Sequence, residues 1–305
     1  MWSYVTRRIF QALITTVVTA VAVFIMVRVA PGDPIEVLLG DMASAEEIAR
    51  GREAYGLDQP LLVQLGIYLG KAAMLDFGKS ITQGIPVHEL VLSRVGPSVL
   101  LGIVTILLTI LIAIPLGIFC ALRRDRTADK IASGGAFVAL SLPDFWLGIV
   151  LILIFSRTLH LLPSSGGSGL ALIMPAVTLA LPLAAVNLRL MRNETIGVLK
   201  APYVTLARAR GLSLSDILRR HVLRNAIIPV LTIGGVQFGH LLGGAAVIES
   251  VFGWPGIGQL LIRSIATRDY PVVQGCIILM TVMVVAVNLL VDLAYRFIDP
   301  RFRSA

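Results

Sequence analysis

Long apolar runs separated by short charged segments dominate the chain. Runs at 9–29, 97–121, 131–156, 171–192, 227–249 and 271–295 are each long enough for a helix crossing ~30 Å of hydrocarbon. A helix satisfies its own backbone hydrogen bonds in lipid, so the pattern predicts an all-α integral membrane protein with six transmembrane helices. Pro31-Gly32-Asp33-Pro34 must end the first helix, because proline cannot continue it. Residues 31–95 form the one sizeable aqueous stretch. Helical patterns there run from Ala45 to Tyr55 and from Pro60 to Leu75, parted by Gly56-Leu57-Asp58-Gln59-Pro60. A small helical cap on the external mouth is expected. Within the third run, Ser141-Leu142-Pro143-Asp144 predicts a break or kink. Residues 163–169, rich in Gly and Ser, read as a flexible connector. The expected division is 1–30 (tail and first helix), 31–95 (extracytoplasmic segment), 96–295 (five-helix core with a cytoplasmic loop at 193–226) and 296–305 (tail).

Composition agrees: 56% of residues are hydrophobic and 14% charged, with a mean hydropathy of +0.87. An ordinary soluble domain carries about 25% charged residues. Six spans put both termini on one side, shared by Arg7, Arg8, Arg123, Arg124, Arg126, Lys130 and the 189–224 segment with Arg296, Arg301 and Arg303. That side holds 17 of the 26 basic and 6 of the 18 acidic residues, and the other side 9 and 12. Basic loops stay in the cytoplasm, so both termini are expected there. The net charge of +8 therefore records topology and does not point to nucleic acid. The first apolar run is longer than a signal-peptide core and lacks an A-x-A site before Pro31, so it is expected to remain as an uncleaved span.

Several catalytic patterns fail on spacing. Gly78-Lys79-Ser80 lacks the glycine that a phosphate loop needs five positions earlier, where Ala73 stands. His88-Glu89 would need a second histidine at Leu92 to hold zinc. Gly166-Gly167-Ser168-Gly169 resembles the rhomboid protease motif, but 271–295 contains no histidine to activate the serine. Cys120 and Cys276 each lie inside an apolar run and read as small buried hydrophobes. No filter loop or ring of pore charges suggests a channel, and Asp144 alone is thin support for an ion-coupled carrier. Polar residues inside spans are costly and mark candidate positions. Asp144, Gln237 and His240 are candidates for a substrate path, and Gln237, His240 and Asn187 alternatively for interhelical hydrogen bonding. Asp292 is expected to pair with Arg296. Gly235, Gly239 and Gly243, four apart, predict a groove for a closely packed helix.

Residues 193–226 mix apolar and basic positions. Leu206, Ala209, Leu212, Leu214, Ile217 and Leu218 form a possible stripe among Arg208, Arg210, Arg219, Arg220 and Arg224. On periodicity alone this is either a helix resting on lipid headgroups or a lever fitting a cleft on a partner. Here Thr205-Leu206-Ala207-Arg208-Ala209-Arg210-Gly211, followed by His221-Val222-Leu223-Arg224-Asn225-Ala226-Ile227-Ile228-Pro229, resembles the coupling loop of ABC importer permeases of the dipeptide/oligopeptide/nickel family. That family writes the loop as EAA, three residues and Gly. Thr205 replaces the Glu, Leu206 one Ala, and the proline comes some five residues late. Pro31-Gly32-Asp33-Pro34, Tyr55 to Pro60, Asp76-Phe77-Gly78, Leu162-Pro163, Phe252 to Gly258 and Arg268-Asp269-Tyr270-Pro271 look like the family's other marks, in order along nearly the whole chain.

The resemblance implies a type I ABC importer permease fold in the bacterial cytoplasmic (inner) membrane. It implies a subunit that is not itself an enzyme, binds no cofactor, and leaves ATP and Mg to partners. Those partners would be two ABC ATPase subunits, a second related permease subunit and an extracytoplasmic substrate-binding protein. Thr205 to Gly211 would couple to the ATPase, with Leu206, Ala207, Arg208 and Arg210 in contact and Gly211 making the turn. Short peptides are the expected cargo, with glutathione, nickel or a metal chelate as alternatives.

Overall fold

The computed structural model describes residues 2–29, 35, 39, 43–54, 56–167 and 169–298. Pro31-Gly32-Asp33-Pro34, Tyr55, Ser168, Arg301, Arg303 and the side chain of Arg296 lie outside the described residues. The described chain is helical, with only an isolated antiparallel bridge, Lys79 to Pro86, outside the helices. Among the described residues five helices are long and apolar enough to cross a membrane, and a sixth crossing arises if one bent pair counts as a span. The chain divides into two compact units, Met1–Ser98 with Pro255–Ala286, and Val99–Trp254 with Val287–Ala305. The aqueous segment groups with the first helix and with residues 255–286, which the expected division had counted with the core. Packing pairs residues some 180 positions apart, and no local pattern announces that.

In the first unit, α1 (Trp2–Val29) leaves Phe10, Leu13, Val18 and Met26 exposed, as a lipid-facing helix should. Thr15 and Thr16 donate to the carbonyls of Gln11 and Ala12, so their hydroxyls need no other partner in hydrocarbon. The helical cap contains α2 (Ala45–Ala54) and α3 (Leu61–Ala73), close to the ranges expected. A capping box opens α2: the Ser44 N–H donates to Glu47 and the Glu47 N–H donates back to the Ser44 hydroxyl. Phe24 of α1 stacks on Tyr68 of α3 with ring centroids 5.4 Å apart. Gln64 Nε2 donates to the carbonyls of Leu57 and Gln59, fixing the turn before α3.

The long helix α4 (Val87–Leu122) starts ten residues before the expected span. Its first turns pack Val87 and Val91 against Ile257, Leu260, Val272, Cys276 and Met280, from α12 (Ile257–Ala266) and α13 (Tyr270–Ile298). Asp269 is 1% exposed and holds the loop before α4. It accepts from the Ser80 and Thr82 hydroxyls and from the N–H groups of Ile81 and Thr82. The sequence mark at 268–271 thus fixes residues 80–82.

In the second unit, α5 (Thr127–Ser141) and α6 (Asp144–Leu151, continued by a wide π turn over Ile152–Thr158) meet at 104°. Leu142 and Pro143 are extended there, so the expected break is a sharp corner. Helix α7 (Ile173–Leu199) is the centre of this unit, burying Met174, Ala176, Leu179, Ala184, Leu188 and Met191. A Cβ on Gly117 of α4 would meet Met191 Cβ at 2.6 Å, so glycine permits that approach. After α8 (Pro202–Ala209) come α9 (Leu214–Ile217), a π turn over Leu218–Val222, and α10 (Leu223–Gly244). The short α11 (Ala246–Val251) ends in the buried Phe252 and Trp254. The fifth expected span therefore breaks at Ala245 rather than running to 249. Cys120 and Cys276 are free, buried thiols.

Candidate coupling surface

Helix α8 begins with Pro202 in its first turn, where the missing N–H costs nothing. Val204 and Ala207, three apart, face inward against Met191, Ile217, Val222, Ala226 and Val230. Its C-terminus closes as a Schellman motif: Leu212 N–H donates to the Ala207 carbonyl and Gly211 N–H to that of Arg208. Gly211 has φ +79°, a left-handed conformation open to glycine at little cost. Ser213 then caps α9, accepting from the Asp216 N–H at 3.2 Å. The turn that the sequence placed at Gly211 is thus a joint capped on both sides.

The outward face carries Tyr203, Thr205, Leu206, Arg208, Ala209 and Arg210. Leu206 is 53% exposed and Leu214 51%, two large apolar side chains amid arginines. Of the expected stripe, Ile217 is buried while Leu212 and Leu218 pack against the same cluster. Leu206, Ala209 and Leu214 point outward. Ala207 needs correction as an expected contact residue: at 7% exposure it belongs to the chain's own core. Val204, which the sequence did not single out, is fully buried and anchors the helix.

A buried ion pair lies at the same end of the unit. Asp129, 3% exposed near the start of α5, accepts from Arg192 Nε at 2.7 Å and Nη2 at 2.6 Å. It also takes the Asp125 N–H at 2.9 Å. This bidentate pair ties α5 to α7 one residue beyond Met191, which packs under α8. Sequence reasoning counted both charges as part of the basic side and missed their pairing. The available signal was one carboxylate opening an apolar run and one guanidinium closing another.

Gln237 accepts from Asn187 Nδ2 at 2.7 Å, which is the interhelical role weighed for it. Asp144 opens α6 and is exposed, His240 is exposed, and among the described residues no hydrogen bond or ion pair joins these three to one another. The glycine groove is real at two positions. A Cβ on Gly235 would meet Val291 at 2.7 Å, and one on Gly239 would meet Asn288 Oδ1 at 2.7 Å. Gly243 is exposed instead.

Residues 113–304 match the sequence profile of the family described as "Binding-protein-dependent transport system inner membrane component". The chain belongs to this family. Residues 1–101 match its companion, "Binding-prot-dependent transport system membrane comp, N-term". The chain is similar to the glutathione transport system permease protein GsiC of Escherichia coli (strain K12), at 40% identity over 304 residues covering 99% of each chain. It is equally similar to GsiC of Salmonella typhi, again 40% over 99% of both. Among solved structures it resembles a chain of the inward-facing MetNI methionine ABC transporter, with TM-score 0.55, 17% identity, and 69% of this chain and 96% of that one covered. A crystallised amino acid ABC transporter gives TM-score 0.50 and 20% identity, covering 68% and 94%. The fold is that of a type I ABC importer permease, and the chain is a multi-pass inner-membrane transport subunit, not an enzyme. Membership implies ATPase and substrate-binding protein partners.

Proposed function

We propose that this permease subunit imports short peptides, with α8 as the lever that an ATPase subunit moves. A second related permease chain and a second ATPase complete the assembly, and an extracytoplasmic binding protein delivers the cargo. Both termini and the 193–226 segment face the cytoplasm, as the distribution of arginine and lysine favours. ATP and Mg belong to the ATPase subunits. The observation that carries the lever reading is the division of α8 into two faces. Val204 and Ala207 fasten it to the core, while Leu206, Arg208 and Arg210 remain exposed. ATP-driven closure of the ATPases would draw the coupling helices together, and the packed spans would pass from inward- to outward-open.

Glutathione, itself a small peptide, is the specific cargo favoured by the relatives' names. Two measurements test the proposal. Gly211→Val forces a branched side chain into φ +79° and should abolish uptake while leaving membrane insertion intact; unchanged uptake would sink the lever. ATP hydrolysis by the reconstituted complex should rise with binding protein carrying a dipeptide or glutathione. A response only to chelated nickel would make the peptide assignment wrong.

A further inference from the structure

The first unit contains a cavity of about 590 Å³ between the end of α1, the face of α3 and the start of α13. Its lining includes the cations Arg28, Lys71 and Lys79 and the carboxylates of Glu53 and Asp76. Among the described residues none of the three cations makes an ion pair, and Arg28 only covers the Phe24 ring at 5.3 Å. Two buried polar atoms in the lining lack a partner: Gln64 Oε1, on a side chain 9% exposed, and the Tyr68 hydroxyl. An unsatisfied buried polar atom costs on the order of 1–3 kcal/mol, so a ligand that supplies the missing partners would be favoured here.

The two orphans ask for opposite things. Gln64 spends both amide hydrogens on Leu57 and Gln59, so its oxygen is left needing a donor. Burial pushes the Tyr68 hydroxyl up to about 12, so it stays protonated and offers a hydrogen. A ligand with an N–H-bearing cation at one end and an oxyanion at the other answers both, and the cations beside Asp76 repeat that polarity. Such a zwitterion is either a lipid headgroup or a free amino acid or peptide.

The surroundings favour lipid. Ile25, Met26 and Val29 around Arg28 are 48%, 69% and 75% exposed, and Leu62 and Met74, along α3 and just after it, are 83% and 81% exposed. An arginine in the last turn of a spanning helix, ringed by exposed apolar residues, sits where hydrocarbon gives way to headgroups. A helix such as α3, apolar outside and polar toward the cavity, lies naturally in that layer. We propose that this cavity holds the headgroup of a phospholipid bearing both a phosphate and a primary ammonium. The phosphate would take Tyr68 and the cations, and the ammonium would donate to Gln64 Oε1. The proposal does not depend on which cargo is carried.

The test is lipid retention by the full chain in nanodiscs of equal phosphatidylethanolamine, phosphatidylcholine and phosphatidylglycerol, read by native mass spectrometry after partial delipidation. The ethanolamine lipid should be retained about tenfold over the choline lipid, whose ammonium has no hydrogen to give, and over the glycerol lipid, which has no ammonium. Tyr68→Phe keeps the stack on Phe24 and should lower that preference about fivefold or more. Lys79→Met, a substitution in a loop, should weaken retention without disturbing the helices. Equal retention of all three lipids, or an unchanged preference in both variants, overturns the site. Displacement of the retained lipid by millimolar dialanine would overturn the lipid source and make the pocket a free-zwitterion site.

Discussion

Two buried carboxylates in the two units meet the same cost in opposite ways. Asp269 is surrounded by neutral donors: two hydroxyls and two backbone N–H groups from residues 80–82. Asp129 is met by a guanidinium in a two-toothed grip from Arg192. A neutral donor left behind loses one hydrogen bond, whereas the Arg192 guanidinium, 20% exposed, would keep a full charge without its partner. The first arrangement pins a loop, and the second joins two helices so that they move as one body. The comparison teaches that the importance of a buried charge lies in what its removal strands.

Asp129→Asn should therefore be the most damaging of these changes, destabilising by about 3–5 kcal/mol because Arg192 loses its counter-charge. Thermal unfolding in detergent would register this, and adding Arg192→Met should restore most of the loss. A double variant as unstable as the single one would show that the pair itself, not the stranded charge, matters. Asp269→Asn should cost less, about 1.5–3 kcal/mol, and confine its effect to the loop. Faster hydrogen exchange at Ile81 and Thr82, with α13 unchanged, is the expected signature. Gly235→Ala is of similar size, about 1–3 kcal/mol, since its Cβ would press on Val291 at 2.7 Å; a thermal melt unchanged from wild type would mean the groove is looser than it looks. The smallest effect belongs to Glu47, whose carboxyl is held below the usual range by the Ser44 N–H first and its hydroxyl second. A carboxyl depressed in the folded state stabilises above its unfolded pKa and loses that contribution as pH falls through the folded value. Glu47→Gln should lower the melting temperature only slightly at neutral pH, remove this acid dependence, and speed exchange only in the first turn of α2.

Much of the architecture was legible because lipid imposes a simple grammar. A twenty-residue apolar run has few alternatives, and Ser141-Leu142-Pro143-Asp144 announced a corner, although Pro182 and Pro229 sit inside continuous helices. Gly211 was legible through the family resemblance, whose pattern places a glycine turn there. The inner face of α8 was not. Val204 and Leu206 are both apolar and about 200° apart around a helix, so one must face away from the core. Only the position of Met191 and Ile217 decides that Val204 goes in. The Asp129–Arg192 pair was hidden by distance, the two charges lying 63 positions apart and each looking like ordinary loop charge. The union of 255–286 with the first helix was hidden by the same cause on a larger scale.

The joint after α8 also governs mechanical slack. The N–H groups of Arg210, Gly211 and Leu212 all bond back into α8, and Ser213 already belongs to the next cap. No residue of this connection is left as a free tether, so a push on Leu206 reaches Leu214 with little lost to stretching. A single inserted glycine here would act like play in a gear train, leaving both helices intact while the stroke dissipates between them.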